Sequence, residues 1–121
     1  MIDPRELRIG NYLQFGNDLI DKVLTICFDR REGFLINGQV PVELIEPIPL
    51  TTEILAKCGF EWDIYWQGIT DGNWVLTEGE KGYKIAYGKR RHDTILWGIQ
   101  WLHQFQNLYY SLTGTELNYR P

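Results

Sequence analysis

Histidine and cysteine are scarce in this chain, with two of each in 121 residues, and methionine occurs once. Cys27 and Cys58 lie far apart, and neither His92 nor His103 has a second potential ligand of its kind close by. A zinc site needs four ligands, usually in short-spaced pairs, so the pattern argues against a metal centre. It reads instead as two buried free thiols in a reducing compartment. No apolar run approaches the ~18 residues of a membrane helix. The opening Met1-Ile2-Asp3-Pro4-Arg5-Glu6 has neither the basic start nor the apolar core of a signal peptide. The expectation is a cytoplasmic chain without membrane contact. G-x-S-x-G, H-E-x-x-H, G-x-x-x-x-G-K-[ST] and G-x-G-x-x-G patterns are also missing. These gaps point away from an enzyme and from an organic cofactor. Gly79-Glu80-Lys81-Gly82 only superficially resembles a phosphate loop. It joins two predicted strands rather than a strand and a helix, so its amides would not converge on a phosphate, and it reads as a hairpin turn.

What is present is an ordinary globular composition, 44% hydrophobic and 23% charged, with a net charge of −4. That suits one domain or two small subdomains sharing a core, with no need of a metal or disulfide to fold. Residues 1–50 carry five basic and eight acidic side chains, and residues 51–121 carry seven and eight. Two short basic clusters stand out, Arg30-Arg31 and Lys89-Arg90-Arg91, each in a predicted turn. Nucleic-acid binding usually needs a net basic face, which these clusters do not make. The aromatic content, 14%, is high, and all five Trp fall between Trp62 and Trp101.

Along the chain, Asp3-Pro4-Arg5-Glu6 predicts a single capped helical turn stopped by Gly10. Short apolar runs follow: Tyr12–Phe15, a long Leu19–Phe28, Phe34–Ile36 and Val40–Glu46. Asn37-Gly38 is the dipeptide best suited to a tight hairpin, because both residues tolerate positive φ. Four or five short strands in about 40 residues predict a small, strongly bent antiparallel, SH3-like barrel. Pro47-Ile48-Pro49-Leu50 ends it. Thr51 caps a short helix over Thr52–Cys58 that stops at Gly59, with Phe60 folding back. Trp62–Ile69, Trp74–Thr77, Tyr83–Tyr87 and Thr94–Ile99 predict a three- or four-stranded antiparallel sheet, with a hairpin at Thr70-Asp71-Gly72-Asn73. The last helix shows Trp101, Leu102, Phe105, Leu108, Tyr109 and Leu112 on one face and Gln100, Gln104, Asn107 and Ser111 on the other. The expected organisation is α+β: a barrel-like subdomain over 1–50 and an α+β subdomain over 51–121, packed as one unit.

For chemistry, the histidines are the natural acid–base candidates. His92, beside Asp93, reads as a solvated loop residue, and His103 as a structural or partner-facing one. Trp97 and Trp101 read as braces for the last helix. Trp62 and Trp66, sharing one strand face with Ile64, and Trp74 exceed what a small core needs, and Trp is favoured at binding hot spots. These three are the candidate contact residues, together with Lys89, Arg90 and Arg91. The favoured function is a non-enzymatic binding module working through protein–protein contact or self-association. The alternative is a binder of nucleotides or single-stranded nucleic acid, with the aromatics stacking bases and the basic loop meeting phosphate. A small enzyme using His92 or His103 is the third reading.

Three stretches carry a resemblance: Leu7-Arg8-Ile9-Gly10-Asn11-Tyr12, Pro47-Ile48-Pro49-Leu50-Thr51-Thr52-Glu53-Ile54-Leu55, and Leu102-His103-Gln104-Phe105-Gln106-Asn107-Leu108-Tyr109-Tyr110-Ser111-Leu112-Thr113-Gly114. The pattern resembles a group of small proteins encoded by gut bacteria and their phages, for which no activity is established. It implies a mobile-element accessory role in the bacterial cytosol and carries no catalytic or binding residue over. The middle of the chain, Trp62 to Thr94, lies outside the matching stretches.

Overall fold

The computed structural model describes residues 2–16, 19–87 and 93–121, with side chains described for all of these except 93–97. The architecture is α+β, with antiparallel sheets and two α-helices. The chain divides into two compact units, Met1–Pro49 with Trp101–Glu116, and Leu50–Gln100 with Leu117–Pro121. The change at Pro49/Leu50 lies beside the boundary expected from the proline-rich joint. The closing helix, expected in the second subdomain, groups with the first.

In the first unit, Asp3 accepts a hydrogen bond from the Arg5 amide at 2.9 Å and starts a single 3-10 turn over Pro4–Glu6. Six short strands follow: β1 (Tyr12–Phe15), β2 (Ile20–Lys22), β3 (Ile26–Asp29), β4 (Gly33–Ile36), β5 (Val40–Pro41) and β6 (Ile45–Glu46). They form two three-stranded antiparallel sheets, in the orders β2-β1-β6 and β3-β4-β5. Among the described residues no pairing closes these sheets into one ring. The long run expected over Leu19–Phe28 is broken into β2 and β3 at a corner, and Asn37 explains the corner. Its side-chain oxygen accepts from the amides of Leu24 (2.6 Å) and Thr25 (3.2 Å), and its amide group donates to the Lys22 carbonyl (3.0 Å). The backbone groups freed by the bend are thereby satisfied. Asn37 and the following Gly38 both have positive φ, 56° and 73°, and the turn closes with the Gln39 amide donating to Ile36 at 3.3 Å. That is the tight turn expected of an Asn-Gly pair. Inward-facing Ile2, Leu13, Val23, Ile36, Val42 and Ile45 form the core of this unit.

The closing helix, α2 (Leu102–Thr113), completes the same unit. The Gln104 side chain reaches back to accept from the Trp101 amide at 3.2 Å, and Gly114 ends the helix in a left-handed conformation. Its buried side is Leu102, His103, Phe105 and Gln106, whereas Leu112 is exposed. This corrects the apolar stripe read from the sequence, and the reason is polar. The Gln106 carboxamide accepts from the Tyr12 amide (2.8 Å) and donates to the Gly10 carbonyl (3.1 Å). Asn107 accepts from Asn11 (2.8 Å) and from Arg8 Nε (3.1 Å), and donates to the Glu6 carbonyl (2.8 Å). Arg8 forms a two-pronged pair with Glu116, and its guanidinium lies 4.3 Å over the Tyr110 ring. The segments 7–12 and 102–114 thus meet in one hydrogen-bond network.

In the second unit, Thr51 caps α1 (Thr52–Ala56) through the Ile54 amide at 3.2 Å, and the Phe60 amide folds back to Leu55 at 3.0 Å. A five-stranded antiparallel sheet follows: β7 (Glu61–Asp63), β8 (Gly68–Thr70), β9 (Trp74–Gly79), β10 (Gly82–Tyr87) and β11 (Asp93–Ile99), hydrogen-bonded in that order. The expected sheet had three or four strands, and the run Trp62–Ile69, expected as one strand, folds back on itself as β7 and β8. Of the two thiols, both free, Cys58 is buried, which pushes it up to about 12, and Cys27 is exposed on β3, against the expectation of two buried thiols.

Gln106→Leu keeps the volume and leaves the Tyr12 amide and Gly10 carbonyl without their partner. A loss of about 2–4 kcal/mol is expected, read as a lowered urea midpoint with the slope unchanged.

Candidate functional site

The β7–β8 hairpin is built by Asp63. Its carboxylate accepts from the amides of Tyr65 (2.7 Å) and Trp66 (3.4 Å), a side-chain-closed turn that takes the chain out of β7. Gln67, with φ of 52°, completes the reversal into Gly68. At Gly68 a Cβ would stand 2.7 Å from the Val75 side chain, so only glycine lets β8 lie this close to β9. The turn lifts Ile64 and Tyr65 into solvent, 83% and 80% exposed. Tyr65 and Trp66 meet edge to face at 4.9 Å.

Cross-strand pairing sets a row of apolar side chains on one face of the sheet. Ile85 faces Leu76, Leu76 faces Ile69, and Ile69 faces Trp62. The first three are buried, and the row ends on the edge strand at Trp62, which is 65% exposed. Beside Trp62 lies a groove of about 600 Å³, in the size range of ligand pockets. Phe60, Ile69 and Leu76 supply its apolar lining, and Thr52 and Ala56 reach it from α1. Glu61 and Glu78 are its charged lining residues, and among the described residues no Lys, Arg or His lines it. Neither carboxylate forms an ion pair among the described residues.

The expected contact residues separate on this scaffold. Trp62 lines the groove, and Trp66, 36% exposed, stands on the hairpin turn without lining it. Their shared strand face does not exist, since β7 ends at Asp63. Trp74 is not a surface residue: it is 1% exposed, with its ring centroid 4.6 Å from that of its cross-strand neighbour Tyr87. Its strand position puts it on the covered face with Leu76, which removes it from the proposed patch. Lys89, Arg90, Arg91 and His92 lie outside the described residues, as does the side chain of Trp97. Trp101 is half-buried at the start of α2. Gly79-Glu80-Lys81-Gly82 is a hairpin turn, with Gly79 paired to Gly82 between β9 and β10. Sequence reasoning missed Phe60, Glu61 and Glu78 at the groove and Ile64 and Tyr65 at the turn. The alternation Trp74, Leu76, Glu78 along one strand face carried the signal for Glu78.

His103 belongs to the first unit and lines no groove described here. It is 1% exposed, with neither ring nitrogen hydrogen-bonded, and Nε2 lies 3.7 Å from the Glu6 carboxylate. Burial lowers its pKa below the usual 6.5, an effect that Glu6 partly offsets. Among the described residues no three His, Cys, Asp or Glu side chains converge as metal ligands. No helix among them is long and apolar enough to cross a membrane.

A buried neutral histidine links folding to pH. The unfolded chain takes up the proton near 6.5, before the native state does. Stability is therefore full above about pH 7 and falls as the pH drops through 6.5. Thermal melts between pH 8 and pH 5 should show this slope, and His103→Phe should flatten it.

Comparison of the chain with family models, with curated proteins and with solved structures gives no match.

Proposed function

We propose that this chain is a non-enzymatic binding module that acts through protein–protein contact, with the β7–β8 hairpin and its groove as the contact surface. The observation that carries the reading is Trp62, which continues a buried apolar row onto an exposed sheet edge. Exposed aromatics around a concave apolar surface are the usual anchors of protein interfaces, where Trp and Tyr contribute most. Trp66, Tyr65 and Ile64 extend the apolar surface along the hairpin. The mobile-element setting in the bacterial cytosol that the terminal motifs imply fits such an accessory role. Glu61 and Glu78 beside Trp62 favour a protein over the alternative, a nucleotide or single-stranded nucleic acid, because carboxylates repel phosphate.

We read the first unit as an SH3-like barrel. Its strand path supports this: a bent second strand (β2 and β3) contributes to both sheets. A 3-10 turn at Val42–Leu44 then leads into a last strand that pairs with the first.

The test is association of the full chain. Copies are followed by sedimentation, and ligands are selected from a displayed random-peptide library. Trp62→Glu should weaken the association about 30-fold or more, as a hot-spot Trp does, while the thermal midpoint stays within the small range of surface substitutions. Trp74→Glu should unfold the protein. A chain that stays monomeric and selects no ligand sensitive to Trp62→Glu overturns the reading.

A further inference from the structure

The groove has a direction, and its charge has a sign. β7 is the last strand of its sheet, so one of its edges has no neighbouring strand. No backbone hydrogen bond of Glu61, Trp62 or Asp63 other than to β8 occurs among the described residues. An open edge is a template for an added strand, and main-chain pairing at such an edge is a recurring mode of peptide capture. Among the described residues, the charged side chains of β7 and of the groove lining are all acidic. Glu61 and Asp63 lie on β7 itself, and Glu78 lines the groove on the face that carries Trp62. The Asp63 carboxylate is occupied by the turn, while Glu61 and Glu78 have no cationic partner among the described residues. In the same lining, the exposed indole of Trp62 offers the ring face that best holds an ammonium or guanidinium group.

We propose that the groove binds an extended peptide segment of a partner protein, paired along the free edge of β7, in which a lysine or arginine stands next to an apolar side chain. The apolar side chain packs against Trp62 at the mouth of the groove. The cation lies over Trp62, drawn by the acidic lining that Glu61 and Glu78 supply. The period-two alternation of a strand places those two side chains on opposite faces when adjacent and on one face when separated by one residue. The groove side of the peptide therefore reads basic-x-apolar or apolar-x-basic. This inference rests on the protein-binding reading above and narrows it to one ligand chemistry.

The test selects a displayed library of random dodecapeptides against the full chain. The enriched peptides are then synthesised, and their affinities measured by Trp fluorescence. Enriched sequences are expected to carry Lys or Arg two positions from an aliphatic or aromatic residue. Glu61→Lys combined with Glu78→Lys should weaken them about tenfold or more, with an unchanged circular-dichroism melt. Peptides with N-methylated backbone amides at alternate positions should also bind less well, as loss of ladder hydrogen bonds requires. Peptides that depend on Trp62 but show no basic excess, or tolerate the double charge reversal, overturn this inference and leave the protein-binding reading standing. So does a chain that binds only a second copy of itself through Trp62. Selection of no Trp62-dependent ligand, by a chain that also stays monomeric, overturns both.

Discussion

The first unit depends on a pair of side-chain amides. Gln106 takes the place of a strand partner for Gly10 and Tyr12, and Asn107 gathers Asn11, Arg8 and the Glu6 carbonyl around one carboxamide. A helix held by apolar contacts alone can rotate or slide with little penalty. One held by a buried amide meeting both a donor and an acceptor has one register, since any slip leaves buried polar groups unpaired. Arg8, clasped by Glu116 and lying over Tyr110, closes the other end of the same network. The placement of α2, and with it the burial of Phe105 and Leu102, follows from this arrangement.

The second unit works on the opposite principle. Its central row, Ile85, Leu76 and Ile69, is apolar and covered, and it stops being covered at the sheet edge. Nothing in strand pairing obliges a buried row to end where the solvent begins. Here it ends on an indole, flanked by Glu61 on the same strand and a groove wide enough for side chains. Edge strands are commonly protected by charge and shortness. β7 has both, at three residues with two of them acidic. The protection also acts as a filter, since it disfavours most neighbours and leaves a basic one acceptable.

How far the sequence could be read follows from the scale of each signal. Local chemistry was legible: the Asp3 and Thr51 caps, the Asn37-Gly38 turn, the Thr70–Asn73 hairpin and the stops at Gly59 and Gly114 form as their residue types dictate, whereas the first turn ends at Leu7 and not at Gly10. What escaped depends on partners distant in sequence. Gln106 looks like a solvent-facing helix residue until the backbone of Gly10 and Tyr12 is set against it. Trp62–Ile69 looks like one strand because Asp63 acts as a turn-former only when the next residues give it their amides. Trp74 could not be told from Trp62 by type or spacing. Strand order separates them, since β9 has neighbours on both sides and β7 on one. The groove had no motif because its lining comes from α1, Phe60 and three strands.

The path of the chain has a kinetic meaning. Each unit is made of two pieces, the first of Met1–Pro49 and Trp101–Glu116, the second of Leu50–Gln100 and Leu117–Pro121. Residues 48–50 run antiparallel to residues 100–102, with Leu50 donating to Gln100 at 2.9 Å and Leu102 donating to Ile48 at 2.8 Å. A ribosome therefore releases the strands around Leu13 long before the helix that completes them exists. During that interval the early strands lack Gln106 for the Gly10 and Tyr12 backbone. Loop closure over so many residues has an entropic cost, about 0.6 kcal/mol for every doubling of loop length. Pairing of residues 48–50 with residues 100–102 shortens that closure, because it sets the start of the helix beside the end of the early strands before the helix itself docks.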